Sequence, residues 1–225
     1  MSVIATEAPP TGPAGTTTAG RRRFGLGVLA AAVVASLLVG FAVAMLTIRP
    51  AAPPDDGSAE VGFARDMIEH HTQAVTMGVA AFQRGATGEV RQLGYDIAMT
   101  QQGEIGMMHQ WLRDWQVSPN AEPGEVMAWM RDDLDMALIR DGRMPGLATP
   151  DQMAALDEAG GAELDRLFLE LMTYHHLGGI HMIDGVLERT DHPEVTALAE
   201  LMRGAQQREL TVMRDLLAGL DSAGA

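Results

Sequence analysis

One sparse pattern occurs twice in the chain, and this repeat constrains the fold more than any other feature. The pattern Met-x-x-His-His-x-x-x-x-x-Met occupies residues 67–77 and again residues 172–182, an offset of 105. The same offset relates Gln101-Gln102-x-Glu104 to Gln206-Gln207-x-Glu209. A segment of about fifty residues has therefore been duplicated, and the chain should contain two copies of one supersecondary unit.

Both copies carry apolar and small residues at helical spacing. The spacing predicts four long helices, over Glu60–Arg84, Thr87–Trp115, Ala162–Arg189 and Pro193–Leu217. Each copy is then an antiparallel hairpin, and a crossover over residues 117–160 joins the two. Within the crossover we expect a short helix from Glu125 to Ile139 and a capped helix that starts at Thr149-Pro150-Asp151. Two hairpins with one long crossover indicate an all-α, ferritin-like four-helix bundle over residues 59–220.

The N-terminal part has a different character from the rest. Residues 1–20 are rich in Pro, Gly, Thr and Ala without a hydrophobic period, which predicts a disordered cytoplasmic tail. The uncharged apolar run 24–48 is long enough to cross a bilayer and follows Arg21-Arg22-Arg23. We therefore expect a transmembrane signal anchor over residues 21–49, a linker over 50–58 and an extracytoplasmic C-terminal domain. Cleavage near Ala44, with secretion, is the alternative.

Composition limits the chemistry of this domain. The chain has no cysteine, so a soft-metal site would have to use Met thioether and His imidazole. Of its 16 Met and 7 His, only two Met precede residue 50. The net charge is −14 although several arginines lie near the N-terminus, so the remainder is strongly acidic. Such a domain attracts cations and is not expected to bind nucleic acid.

The repeated His and Met residues are the candidate metal ligands, with a carboxylate from the neighbouring helix of each hairpin. On one helix Met67 and His71 are four residues apart, and on the next Glu104 and Met108 are as well, so each pair shares a face. The candidate set is Met67, His70, His71, Met77, Glu104, Met108, Met172, His175, His176, His181, Met182, Glu209 and Met213. Thioether with imidazole favours Cu(I), whereas imidazole with carboxylate would also hold Cu(II) or Zn(II). The two glutamates could bind the ion directly or orient a His through its other ring nitrogen.

Other functions remain open at this point. A single buried Met is usually core packing, and a lone His on an apolar face is usually a hydrogen-bonded core residue. Two adjacent histidines are harder to explain as packing because they point about 100° apart and both must be satisfied. The His-His pair occurs in both copies, which favours a metal site. An exported interaction module with structural His and Met is the first alternative.

A metal-dependent enzyme is the least favoured alternative. A ferritin-like di-iron enzyme requires Glu-x-x-His motifs. The corresponding positions here read Glu104-x-x-Met107 and Glu209-x-x-Val212.

From Ala59 to Leu217 the chain resembles the domain-of-unknown-function family 305, DUF305. The resemblance is most specific in the block 63–77, in its copy at 168–176 and in Thr149-Pro150-Asp151-Gln152-Met153. It implies a duplicated ferritin-like bundle, exported and associated with copper binding or copper resistance. The ligands it implies are Met67, His70, His71, Met77, His175, His176 and Met182.

The resemblance also bears on role and partners. It fits copper buffering, scavenging or chaperoning, with the metal ion and the membrane as partners and a homodimer left open. One departure separates the two copies, because Leu177-Gly178-Gly179 stands where the first copy has Thr72-Gln73-Ala74. The two metal sites, one in each copy, therefore need not be equivalent.

Overall fold

The computed structural model describes residues 25–47, 52–121, 124–139 and 143–223. The chain divides into two compact units, Met1–Ala51 and Ala52–Ala225. The described part of the first unit is helix α1 (Leu26–Thr47). Its segment Leu26–Met45 has a mean hydropathy of 2.6 and is long and apolar enough to cross a membrane, a property that signal sequences share. The predicted tail, and the arginine cluster that follows it, lie outside the described residues.

The second unit is helical and consists of two hairpins, as the repeat predicts. Its helices are α2 (Ala59–Arg84), α3 (Gly88–Asp114), α4 (Pro150–Glu158), α5 (Gly161–Leu187) and α6 (Pro193–Ala223). α2 packs on α3, α5 packs on α6, and contact between α2 and α5 joins the hairpins. The long helices begin and end within two residues of their predicted bounds, except that α6 extends past Leu217 to Ala223.

Side-chain caps explain where several helices begin. Ser58, Thr87 and Thr149 precede α2, α3 and α4, and the side-chain oxygen of each accepts a hydrogen bond from a backbone N–H three residues later. The buried carboxylate of Asp165 accepts hydrogen bonds from the backbone N–H groups of Ala86 and Thr87, both at 2.9 Å. This contact ties the turn between α2 and α3 to the start of α5.

The crossover differs from prediction in one place. The helix expected over Glu125–Ile139 is replaced by two short 3₁₀ helices, Ala128–Asp133 and Met136–Leu138. The cause is a contact distant in sequence: the buried Asp66 carboxylate accepts hydrogen bonds from the backbone N–H of Met127 and the indole N–H of Trp129, both at 2.8 Å. These bonds hold the segment across α2, and no local periodicity records them.

The apolar core has two clusters, and each combines both copies of the repeat. The first contains Phe63, Met67 and Met108 together with Met182, Val195 and Leu198. The second contains their partners at the offset of 105, namely Phe168, Met172 and Met213 together with Met77, Val90 and Leu93. The start of α2 thus packs near the end of α5, and the end of α2 packs near the start of α5. The two helices run antiparallel, and a pseudo-twofold axis relates the copies through their middle.

Candidate metal centre

The two His-His pairs lie in the middle of α2 and α5, close to this axis. His70, His71, His175 and His176 are each at most 1% exposed. The ring centroids of His70 and His175 are only 3.8 Å apart, whereas the rings within each pair are 6.2 and 6.3 Å apart. One ring of each pair therefore lies against its equivalent ring across the axis. The structure brings the four imidazoles into one centre shared by both hairpins, where sequence spacing had suggested one set per hairpin.

The inner rings, His70 and His175, are held by backbone carbonyls. The Nε2 atom of His70 lies 3.1 Å from the carbonyl oxygen of Pro145, and that of His175 lies 2.9 Å from the carbonyl oxygen of His70. Burial lowers the pKa of both rings well below the usual value, and a neighbouring imidazole lowers it further. Because a carbonyl can only accept, the single proton of each neutral ring sits on Nε2. The buried Nδ1 atoms then carry lone pairs and have no hydrogen-bond partner.

The outer rings, His71 and His176, face carboxyl groups. The Nε2 atom of His176 lies 2.6 Å from Glu209 Oε2 in a hydrogen bond. The Nε2 atom of His71 lies 2.9 Å from Glu104 Oε2, without the alignment of a hydrogen bond. The Nδ1 atoms of both rings are buried without partners.

The His71–Glu104 contact is not a full ion pair. Burial, with a contribution from His176, lowers the pKa of His71 to about 3. Burial and the nearby Glu209 carboxylate raise the pKa of Glu104 to about 7. The imidazole is therefore neutral at pH 7, beside a carboxyl group that titrates close to that pH.

The methionines of the repeat fall into two groups of three. Met67, Met108 and Met182 belong to the first apolar cluster, and Met172, Met213 and Met77 to the second. All six are 0% exposed. Each group takes two members from one hairpin and one from the other, so both copies supply thioethers to both clusters.

His181 is placed on a different face of α5. Its Nε2 accepts a hydrogen bond from the backbone N–H of Asp135 at 3.0 Å. One face of α5 therefore contacts the crossover, because Tyr174, seven residues earlier, donates to the carbonyl of Ala137 at 3.4 Å. His181 thus contacts the crossover, while the other four repeat-region histidines contact one another.

Residues 143–148, which we call the cover segment, close one side of the centre. The carbonyl of Pro145 binds His70, as described above. The amide of Gln73 bonds the backbone of Ala148 twice, donating to its carbonyl at 3.0 Å and accepting from its N–H at 2.7 Å. A Cβ atom at Gly178 would lie 2.3 Å from the carbonyl carbon of Pro145, so only glycine admits the segment there. Sequence reasoning missed this element, although the change from Gln73 to Gly178 between the copies marked its place.

The donor set fits a soft or borderline metal ion. The centre and its borders offer four imidazole nitrogens without partners, two carboxyl groups and six thioethers, the groups that copper binds. In the described part of the chain, no three His, Asp or Glu side chains already form a group that could hold an ion. The contacts of each Nε2, a carbonyl or a carboxyl group, are the kind that orient metal-bound imidazoles.

The chain is similar to one known protein family and to solved structures from that family. The family described as "Domain of unknown function (DUF305)" matches residues 60–217. A DUF305 protein from Streptomyces coelicolor of known crystal structure is 40% identical, with a TM-score of 0.67, covering 74% of this chain and 96% of that chain. A DUF305 fragment from Deinococcus radiodurans is 28% identical, with a TM-score of 0.59, covering 75% of this chain and 99% of that one.

A more distant similarity is to CopM. Its Cu(I)-bound form is 22% identical, with a TM-score of 0.56, and covers 72% of this chain and 96% of that chain. CopM structures also exist in Cu(II)-bound and silver-bound forms. At this identity the likeness shows the fold alone. No curated protein matches the chain.

Proposed function

The chain belongs to the DUF305 family, and from that premise we propose that its bundle domain binds copper at the four-imidazole centre and serves copper buffering, scavenging or chaperoning. One observation carries the proposal. Four buried Nδ1 atoms lack hydrogen-bond partners, while the Nε2 atom of each ring faces a carbonyl or a carboxyl group.

This arrangement suits metal ligation better than packing. A buried polar atom without a partner costs about 1–3 kcal/mol, so four of them around one axis are expensive unless an ion uses them. In metal sites the second nitrogen of a ligating His is typically bonded to a carboxylate or a carbonyl. By the same reasoning Glu104 and Glu209 orient His71 and His176.

The choice of copper rests on the donor types. Imidazole with thioether favours Cu(I), and imidazole with a carboxyl group also accepts Cu(II) or Zn(II). The fold is shared with CopM, which binds Cu(I), Cu(II) and silver in its crystal structures. That likeness supports the proposal without assigning ligands in this chain.

We also propose that the domain lies outside the cytoplasm, held by α1 as a single-pass anchor. The helix carries no charged residue, and Arg21–Arg23 precede it in the sequence. A reporter fused after Ala225 should then be active only outside the cytoplasm, and activity inside would refute this. N-terminal sequencing of the mature protein separates the anchor from secretion after cleavage near Ala44.

The decisive experiment compares the parent domain with a variant in which His70, His71, His175 and His176 are all Ala. The parent should bind copper, and the variant should lose most of that binding while it stays helical. A double variant in which His109 and His192 are replaced by Ala is the matched control, because those histidines lie outside the centre. This control should bind copper like the parent.

The same samples test the interaction-module alternative. If the four histidines are only core residues, the parent binds no copper tighter than micromolar. Their replacement then leaves cavities and lowers stability by about 2–5 kcal/mol. A copper titration and a thermal melt on each sample distinguish the two outcomes.

A further inference from the structure

Two buried glutamines have no explanation in the packing of the bundle. Gln101 on α3 and Gln206 on α6 are equivalent in the repeat, and each is 3% exposed. Neither amide atom of Gln101 has a hydrogen-bond partner, and Oε1 of Gln206 has none. An amide buried in this state is costly, and native structures rarely keep one without a reason. Here the same feature occurs at both equivalent positions.

Gln206 lies beside the imidazole centre. A Cβ atom at Gly179 would lie 2.6 Å from Gln206 Oε1 and 3.2 Å from Cε1 of His70. The amide and the ring therefore border one small space, which exists because position 179 has no side chain. Cε1 is bonded to both ring nitrogens of His70, of which Nε2 contacts the carbonyl of Pro145 and Nδ1 has no partner. The amide oxygen of Gln206 therefore lies near a ring that has one nitrogen left without a partner.

Each glutamine is also one helical turn before a carboxyl group of the centre. Gln101 precedes Glu104, and Gln206 precedes Glu209, by three residues on the same helix face. Amide oxygens, carboxyl groups and imidazoles together form a mixed oxygen and nitrogen set. Thioether and imidazole alone satisfy Cu(I) or Ag(I), whereas Cu(II) takes oxygen ligands and water in addition.

We propose that Gln206, and Gln101 as its equivalent in the repeat, contact a bound Cu(II) ion, directly through Oε1 or through its water ligands, and so strengthen the binding of Cu(II) relative to Cu(I). This inference rests on the proposed copper function. It assigns the two glutamines a role in Cu(II) binding in addition to the carboxyl groups of Glu104 and Glu209.

The test uses the full chain in detergent, with Gln101→Leu, Gln206→Leu and the double variant. The adjacent Gln102→Leu and Gln207→Leu are matched controls, because both side chains are exposed on the same helices. Three quantities are measured: the Cu(II) dissociation constant, the Ag(I) dissociation constant and the thermal midpoint of the metal-free protein.

We expect the Cu(II) dissociation constant to rise by about 10–100-fold in the variants of Gln101 and Gln206, the range found for groups that support a metal site. Binding of Ag(I) should not change, and the metal-free midpoint should stay equal or rise because an unpartnered buried amide is removed. The two control variants should behave like the parent in all three measurements.

The other outcomes are separable. Unchanged Cu(II) binding in a parent that binds both ions would overturn this inference and leave the copper function standing. Equal weakening of Cu(II) and Ag(I) with a lower midpoint would assign the glutamines to packing and overturn it as well. A parent that binds neither ion would refute the copper function itself. If the Leu variants do not fold, Gln101→Ala and Gln206→Ala add no donor group, and their Cu(II) binding decides.

Discussion

At the scale of single residues, the state of each imidazole follows from its surroundings. Burial keeps His70, His71 and His175 neutral at pH 7, so these rings need not release a proton before they bind an ion. A carbonyl or a carboxyl group beside Nε2 then leaves Nδ1 as the nitrogen available to a metal. The chemistry of the centre therefore depends as much on acceptors in the backbone as on the histidines themselves.

Replacing Met67 by Leu should weaken Ag(I) or Cu(I) binding and change stability by less than about 1.5 kcal/mol, because Leu fills nearly the same volume but lacks the sulfur. Met202→Leu is the matched control, since Met202 is 0% exposed in the same cluster but lies outside the repeated pattern. An Ag(I) titration and a thermal melt measure the two effects. Equal Ag(I) binding by both variants would identify Met67 as a core residue.

The repeat identified the four central histidines from sequence, yet it did not identify everything around them. His181 is the same residue type as the central four but lacks a counterpart, since Thr76 stands at the equivalent position. The structure accordingly places it against the crossover. Gln101 and Gln206 do have counterparts in each other. For His181 and Gln206, repetition was a better guide to position near the centre than residue type.

At the scale of elements, helical periodicity predicted the long helices because their apolar stripes are local in sequence. The cover segment could not be found in this way. Its contact with the centre is a backbone carbonyl of Pro145, which leaves no side-chain pattern. The expected helix over Glu125–Ile139 failed for a related reason, because Asp66 holds Met127 and Trp129 from 61 and 63 residues away.

Replacing Gly178 by Ala should displace the cover segment, because the added Cβ would lie 2.3 Å from Pro145. We expect a loss of about 1–3 kcal/mol in unfolding free energy, the usual cost of overpacking. Amide hydrogen exchange should become faster at residues 146–148. Gly106→Ala on α3 is the control: it has open space around it and should gain about 1 kcal/mol from helix propensity. If both variants gain stability, the close approach at Gly178 does not constrain the segment.

At the scale of the whole molecule, shifted pKa values predict how stability depends on pH. Between pH 4.5 and 6.5 the unfolded chain protonates His70, His71 and His175, while the folded state keeps them neutral. Stability therefore falls as the pH drops through this window. Glu104 and Asp66 have the opposite effect on stability. Their folded pKa values are raised to about 7 and about 6, so the folded state holds their protons over most of this pH window.

On unfolding in this window, the three histidines take up protons and the two carboxyl groups release them. The net uptake is about one proton, which changes the free energy of unfolding by about 1.4 kcal/mol per pH unit. Urea unfolding of the metal-free protein across this window should show that loss toward acid. Glu104→Gln removes one opposing group, so the slope should roughly double. A stability that is flat or rises toward acid in the parent would contradict the neutral state of the buried imidazoles.

The overall arrangement of the copies was the part that sequence could not supply. The repeated pattern is the same whether each hairpin closes around its own ligands or both meet at an axis. The antiparallel packing of α2 on α5 decides between these, since it brings His70 within 3.8 Å of His175 and pairs Met67 with Met182 in one cluster. Such packing depends on the fit of whole surfaces.

Gln73 and Gly178 stand at the same position of the repeat, 105 residues apart, and they do opposite things. The Gln73 side chain binds the backbone of the cover segment, and Gly178 leaves room for that segment. A symmetric pair of identical hairpins could not hold both: glutamine on both sides would block Pro145, and glycine on both sides would leave Ala148 without this pair of hydrogen bonds. Because both hairpins belong to one chain, their equivalent positions can differ, and one side of the centre is closed by the chain's own crossover.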